Sequence, residues 1–257
     1  MDLYLKDTKF IVCGATSGFG HAITLQLIKE GASVLAVARG EEKLKELQQA
    51  FPEQIEILIG DITKTQTLSK LLKKVEKVKL SGILVNAAGP PAKSFIETSI
   101  EDWDEAYQNL ARWKIELTKL FLPKFLSQKY GRLLYIESSA VKQPLENLVL
   151  STSMRLSVVG FVKTLSQELP NNGITFNIIA PGYHHTPAVE RLITKKAENL
   201  NVSKKEAQRQ IEESIPMKKT GNLKHFASLA LWLLSPLADY VSGQVYAIDG
   251  STIKSTL

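Results

Sequence analysis

Residues 10–40, FIVCGATSGFGHAITLQLIKEGASVLAVARG, decide the fold. An apolar run, FIVCG (10–14), enters a glycine-rich turn. A segment with apolar residues recurring at three and four follows, and then a second apolar run, SVLAVA (33–38). Continuous apolar strands separated by helices must be covered on both faces, which requires a parallel sheet. In the turn, Gly14, Gly18 and Gly20 are spaced as GxxxGxG. Glycine there permits positive φ and lets the backbone come close to a pyrophosphate, which the next helix's N-terminal amides and dipole then hold. A glycine pattern alone is weak, but here its strand, its helix and the following strand are all present, so the turn reads as a dinucleotide site.

The same beat runs along the chain. Further apolar runs are IEILIG (55–60), GILVNAA (82–88), GRLLYIES (131–138), ITFNIIAPG (174–182) and QVYAID (244–249), giving seven strands. Helical patterns begin near Gly20, Glu41, Thr65, Ile100, Ser151 and Leu223. The expected fold is α/β: a single Rossmann-type, doubly wound domain over 1–257, with a seven-stranded parallel sheet and helices on both faces. Residues 187–220 break the beat with a charged helical insertion in which Ser203 and Glu206 have capping-box spacing. Following a strand's C-terminal end, where open α/β sheets bind ligands, it is expected to act as a substrate lid.

Composition narrows the class. The chain has 257 residues, 44% hydrophobic, enough for one substantial core. It has no apolar run long enough to cross a bilayer, and its start, MDLYLKDTKF, lacks the pattern of a signal peptide, so a soluble, cytoplasmic protein without membrane contact is expected. The net charge of +6 comes from scattered lysines, as in KLLKKVEKVK (70–79), which alternate with apolar residues at helical spacing. They read as solvated helix faces, and no nucleic-acid partner is expected. The one cysteine, Cys13, reads as a small buried hydrophobe, and no metal site is expected.

GATSGFG (14–20), NAAG (86–89), the serines at 138 and 139, PGYHHT (181–186) and SGQVYAIDG (242–250) together resemble the short-chain dehydrogenase/reductase family, in its usual order and over nearly the whole chain. The resemblance implies hydride transfer between a nicotinamide and a carbonyl or alcohol substrate, in a homo-oligomer, commonly a homotetramer and otherwise a dimer. Carried over singly, it implies that Gly14, Thr16, Ser17, Gly18 and Phe19 line the pyrophosphate, Asp61 and Ile62 the adenine, and Asn86, Ala87 and Gly89 the ribose. Pro181, Gly182 and Thr186 match the segment that contacts the nicotinamide.

An acid at the end of the second strand would bond the adenosine 2′-OH and repel a 2′-phosphate, whereas an arginine welcomes the phosphate. Here Ala38 stands where the acid usually is and Arg39 follows, so NADP is favoured, with NAD as the alternative.

The catalytic segment, YIESSAVKQPLENLVLSTSMRLSVVGF (135–161), departs from the family. The resemblance implies a serine, a tyrosine and lysine in YxxxK, and an asparagine on an earlier helix. Aligned through the helix, Ser151 stands at the tyrosine position and Arg155 at the lysine position, so the chain is a divergent member lacking both. The asparagine position falls on Leu110, with Asn109 turned about 100° away on a regular helix. The surviving serine is Ser138 or Ser139. Ser151 is a far weaker acid than a phenol with pKa about 10. Arg155 keeps the cation, and its fork can hold ribose hydroxyls. Tyr183 and His185, beside His184 on the PGYHHT loop, and Lys142 are candidate substitute proton donors, the alternative for the loop histidines being solvent-facing polar groups. Three readings stand: a divergent NADP-dependent oxidoreductase, a catalytically impaired nucleotide-binding protein serving as cofactor sensor or assembly subunit, or a non-redox reaction such as dehydration or isomerisation in the same pocket. Leu192, Ile193 and Ile211 point either to a partly hydrophobic substrate or to a helix packing face.

Overall fold

In the computed structural model, which describes residues 1–170 and 172–256, seven parallel strands form one sheet. They are β1 (Lys9–Cys13), β2 (Ser33–Ala38), β3 (Ile55–Ile59), β4 (Gly82–Val85), β5 (Gly131–Ile136), β6 (Ile174–Pro181) and β7 (Val245–Ile248), in the order β3-β2-β1-β4-β5-β6-β7. The order reverses between β1 and β4, and this switch point opens a crevice at the carboxyl ends of the strands.

The helices are α1 (Gly18–Lys29), α2 (Glu41–Ala50), α3 (Thr65–Val75), α4 (Ile100–Ala106), α5 (Trp113–Gln128), α6 (Val149–Glu168), α7 (Pro187–Leu200), α8 (Lys204–Ser214) and α9 (Leu223–Leu234). Alternation along β1 shows how both faces are covered. Phe10 and Val12 join a core with Ile23 and Leu27 of α1 and Phe226 and Leu231 of α9, while Ile11 and Cys13 join a second core with Leu68 of α3, Phe121 of α5 and Val158 of α6. The strands therefore read as unbroken apolar runs rather than alternating ones.

Strand ends shift by one to a few residues from the sequence expectation, and three boundaries bear on the crevice. The helix expected near Gly20 begins at Gly18, and that near Ser151 begins at Val149, so both catalytic-segment positions, Ser151 and Arg155, lie within the first two turns of α6. β4 ends at Val85, and NAAG is a loop. Between α4 and α5 the chain forms a π turn, Tyr107–Arg112. The wider turn frees the Asn109 carbonyl, which accepts a hydrogen bond from the Trp113 indole N–H at 2.9 Å.

The 187–220 insertion forms α7 and α8 around a small interior of their own: Ile193, Ala197, Ala207 and Ile211, flanked by Tyr183, Val189 and Val202. Of the three insertion residues weighed as substrate contacts, Ile193 and Ile211 belong to this packing face. Ser203 Oγ accepts from the Glu206 N–H at 3.1 Å, but the Glu206 carboxylate turns to Arg209 instead of closing the box.

Candidate active site

The crevice, about 950 Å³, is walled by the glycine turn, the ends of β2 to β5 and the starts of α6 and α7. Gly14 and Gly18 have φ of +70° and +53°, in the left-handed region that disfavours side chains. A Cβ on Gly14 would stand 2.9 Å from Asn86 Nδ2, and one on Gly20 would overlap the Gly14 carbonyl oxygen. Gly20 thus admits no side chain, and Gly14 combines a positive φ with a close approach to Asn86. The turn leaves the N-terminus of α1, free of acidic residues, facing the crevice, a fit for a diphosphate.

Most of the expected cofactor residues meet here. Gly14, Thr16, Ser17, Gly18, Phe19, Arg39, Asp61, Ile62, Asn86, Ala87, Gly89, Arg155 and Thr186 all line the crevice. Lys43 and Lys64 line it as well. Burial opposes ionisation of the Asp61 carboxyl. Hydrogen bonds from Thr63 N and Oγ1, at 3.0 and 2.9 Å, and the charges of Arg39 and Lys64 outweigh it, so the pKa of Asp61 falls. Pro181 and Gly182 stand behind the wall: Pro181 is paired with Ile248 of β7, and Gly182 donates its N–H to the Ile248 carbonyl at 2.8 Å.

The proton-donor candidates lie elsewhere. Ser138, Ser139, Tyr183, His185 and Lys142 are not among the lining residues. Ser138 caps a short 3-10 turn by accepting from the Ala140 N–H at 3.2 Å. Tyr183 packs on the α7–α8 interior, and His185 Nε2 lies 2.7 Å from Thr220 Oγ1. His184 is buried against Phe19 and Phe226, with ring centroids 5.3 and 5.2 Å away; burial holds its pKa below the usual histidine value. The π turn brings Asn109 to the crevice and leaves Leu110 buried, so the 100° offset of a regular helix does not apply.

Two residues that sequence reading passed over bear on the site: Glu137, which lines the crevice, and Lys114, buried behind it. Glu137, just past β5, has a side chain with 0% exposure. Its Oε1 accepts from Lys114 Nζ of α5 at 2.5 Å, and its Oε2 from Arg155 NH1 of α6 at 2.9 Å. Arg155 also donates from Nε to Ser151 Oγ at 3.1 Å and from NH1 to the Ile136 carbonyl at 3.4 Å. Its NH2 stands 3.2 Å from where a Cβ of Gly89 would be. Burial lowers the Lys114 pKa to about 8; the Glu137 charge resists that fall and the Arg155 charge adds to it. The signals were a glutamate ending an otherwise apolar strand and a lysine within the apolar face Leu110, Leu117, Phe121.

The family described as Enoyl-(Acyl carrier protein) reductase matches residues 14–251. Dehydrogenase/reductase SDR family member 6 of Aquarana catesbeiana is 32% identical over 95% of this chain and 97% of its own length. NADPH-dependent reductase BacG of Bacillus subtilis (strain 168) is 27% identical, over 97% of this chain and 99% of its own. Among solved structures, an actinorhodin polyketide ketoreductase with NADPH superposes with a TM-score of 0.90 at 27% identity, covering 97% of this chain and 98% of that one.

Proposed function

Because the chain belongs to the short-chain dehydrogenase/reductase family, we propose that it binds NADP(H) in this crevice and acts as an oxidoreductase on a carbonyl or alcohol substrate. The observation that carries the reading is the continuous crevice lined from the glycine turn through Arg39 and the Asn86–Gly89 loop to Arg155. NADP(H) is favoured over NAD(H) by Arg39, just past β2, with Lys43 of α2, by the relative named as an NADPH-dependent reductase and by the ketoreductase structure with NADPH. Bound there, the nicotinamide supplies or accepts the hydride. The chain's part is to bind and orient. The α1 N-terminus and glycine turn hold the diphosphate, Arg39 and Lys43 take the 2′-phosphate, and the free NH2 of Arg155 faces the ribose. Holding reactants in register supplies several kcal/mol of rate acceleration without a proton donor.

Ser151, the residue at the tyrosine position, is buried and is not among the residues lining the crevice; its Oγ accepts from Arg155 Nε and so steadies the guanidinium. An alcohol is a poor acid, and a site without a well-matched one works on the order of 10²- to 10⁴-fold more slowly. Ser138 or Ser139 polarises the substrate oxygen. The α7–α8 excursion acts as the lid, with Arg191 reaching the crevice from α7. A homo-oligomer, tetramer or dimer, and a cytoplasmic setting complete the reading; among the described residues no helix is long and apolar enough to cross a membrane.

One observation favours a second reading, a nucleotide-binding protein without turnover: among the described residues no tyrosine, cysteine or histidine lines the crevice. NADPH oxidation across a panel of carbonyls, alongside NADPH titration, separates the two. Turnover supports the enzyme, binding without turnover the sensor or assembly subunit, and no binding of either coenzyme refutes both.

A further inference from the structure

Three buried charges meet beside the crevice: Glu137 and Arg155, which line it, and Lys114 behind them, with side chains 0%, 8% and 2% exposed. A carboxylate facing an arginine prefers the fork, in which two guanidinium nitrogens donate to its two oxygens together. Here the contact is single. Only NH1 reaches Glu137, at Oε2, while Oε1 accepts from Lys114 Nζ. Nε is engaged by Ser151, so the planar guanidinium is fixed at two of its three nitrogens. The third, NH2, makes no hydrogen bond among the described residues and is aimed at the Gly89 loop.

We propose that Lys114 is a positioning residue: by occupying Glu137 Oε1 it prevents the fork and keeps Arg155 NH2 turned toward the nucleotide ribose. The trio is thus an ion lock whose product is a direction. The inference rests on the reading that NADP(H) occupies the crevice with its ribose against Arg155. Replacing Lys114 by an apolar side chain leaves a one-to-one buried pair, so the protein folds, but the freed carboxylate captures NH2 and draws it out of the crevice.

The test is NADPH affinity by calorimetry, with thermal melting in parallel, for Lys114→Met, Lys114→Gln and Arg155→Ala. Lys114→Met is expected to weaken NADPH about tenfold with no loss of melting temperature, the size of one charge-assisted hydrogen bond. Lys114→Gln retains a donor for Oε1 and is expected to stay within about threefold of wild type. Equal affinities for the two lysine variants, or a weakening that only tracks lost stability, overturn the lock. If Arg155→Ala binds NADPH as wild type does, the assignment of Arg155 to the ribose falls as well. A weakened Arg155→Ala beside an unaffected Lys114→Met removes the lock alone.

Discussion

Lys114 also sets a pH dependence whose sign and size follow from its surroundings. Unfolded, its amine holds a proton up to pH 10.5, but folded only to about pH 8. Below pH 8 both states are protonated, and the unfavourable burial of the ammonium is fully present. Between pH 8 and 10.5 the unfolded chain holds more protons, so raising the pH stabilises the fold. At about 1.4 kcal/mol per pH unit, a window of that width amounts to roughly 3 kcal/mol, an upper figure because the partners Glu137 and Arg155 readjust. The raw profile is mixed with opposing groups. Burial pushes the Cys13 thiol from 9.0 up to about 12 and raises the Tyr135 phenol, so the unfolded chain ionises first at both and rising pH destabilises. Both groups are present in Lys114→Met, and the difference between the two proteins isolates the lysine. Urea unfolding of each from pH 7 to 10.5 is expected to show wild type gaining on the variant above pH 8. A difference that stays flat, or that falls, refutes the claim that desolvation outweighs the Glu137 partnership.

Three further outcomes are expected. Gly20→Ala sets a Cβ against the Gly14 carbonyl, so the turn opens, NADPH titration heat is lost at concentrations that saturate wild type, and melting drops by the equivalent of about 1–3 kcal/mol. Arg39→Ala lowers the ratio of NADPH to NADH affinity by about tenfold or more, read from paired titrations, since one charged contact to the 2′-phosphate is removed. Cys13, fully buried and held as the neutral thiol, resists iodoacetamide in the folded protein and reacts on denaturation, followed by mass spectrometry.

The strands and their order of appearance were legible because a two-faced parallel sheet needs apolar residues at successive positions, as in Phe10 to Cys13. The glycine cradle was legible for a different reason: Gly20 answers to the Gly14 carbonyl within one turn and Gly14 to its positive φ, both local demands that sequence spacing encodes directly. Asn109 was not, since reading a helix at 3.6 residues per turn misplaces everything after a π turn. Nor was the Lys114–Glu137–Arg155 trio, whose members lie on α5, after β5 and on α6 and meet only when the sheet and both helices are packed. His185 shows the converse. Its place in a loop beside the nicotinamide segment suggested chemistry, but the bridge between His184 and Gly221 turns it to Thr220.

The paired helices α7 and α8 enclose Ile193, Ala197, Ala207 and Ile211 and so carry a miniature interior separate from the two layers flanking the sheet. An element that satisfies its own packing can exchange its outward side chains without retuning the strands beneath. Among the described residues of this excursion, only Pro187, Ala188 and Arg191 touch the crevice. Divergence in what the protein accepts can therefore accumulate at a few positions on a self-supporting hairpin, leaving the nucleotide cradle undisturbed.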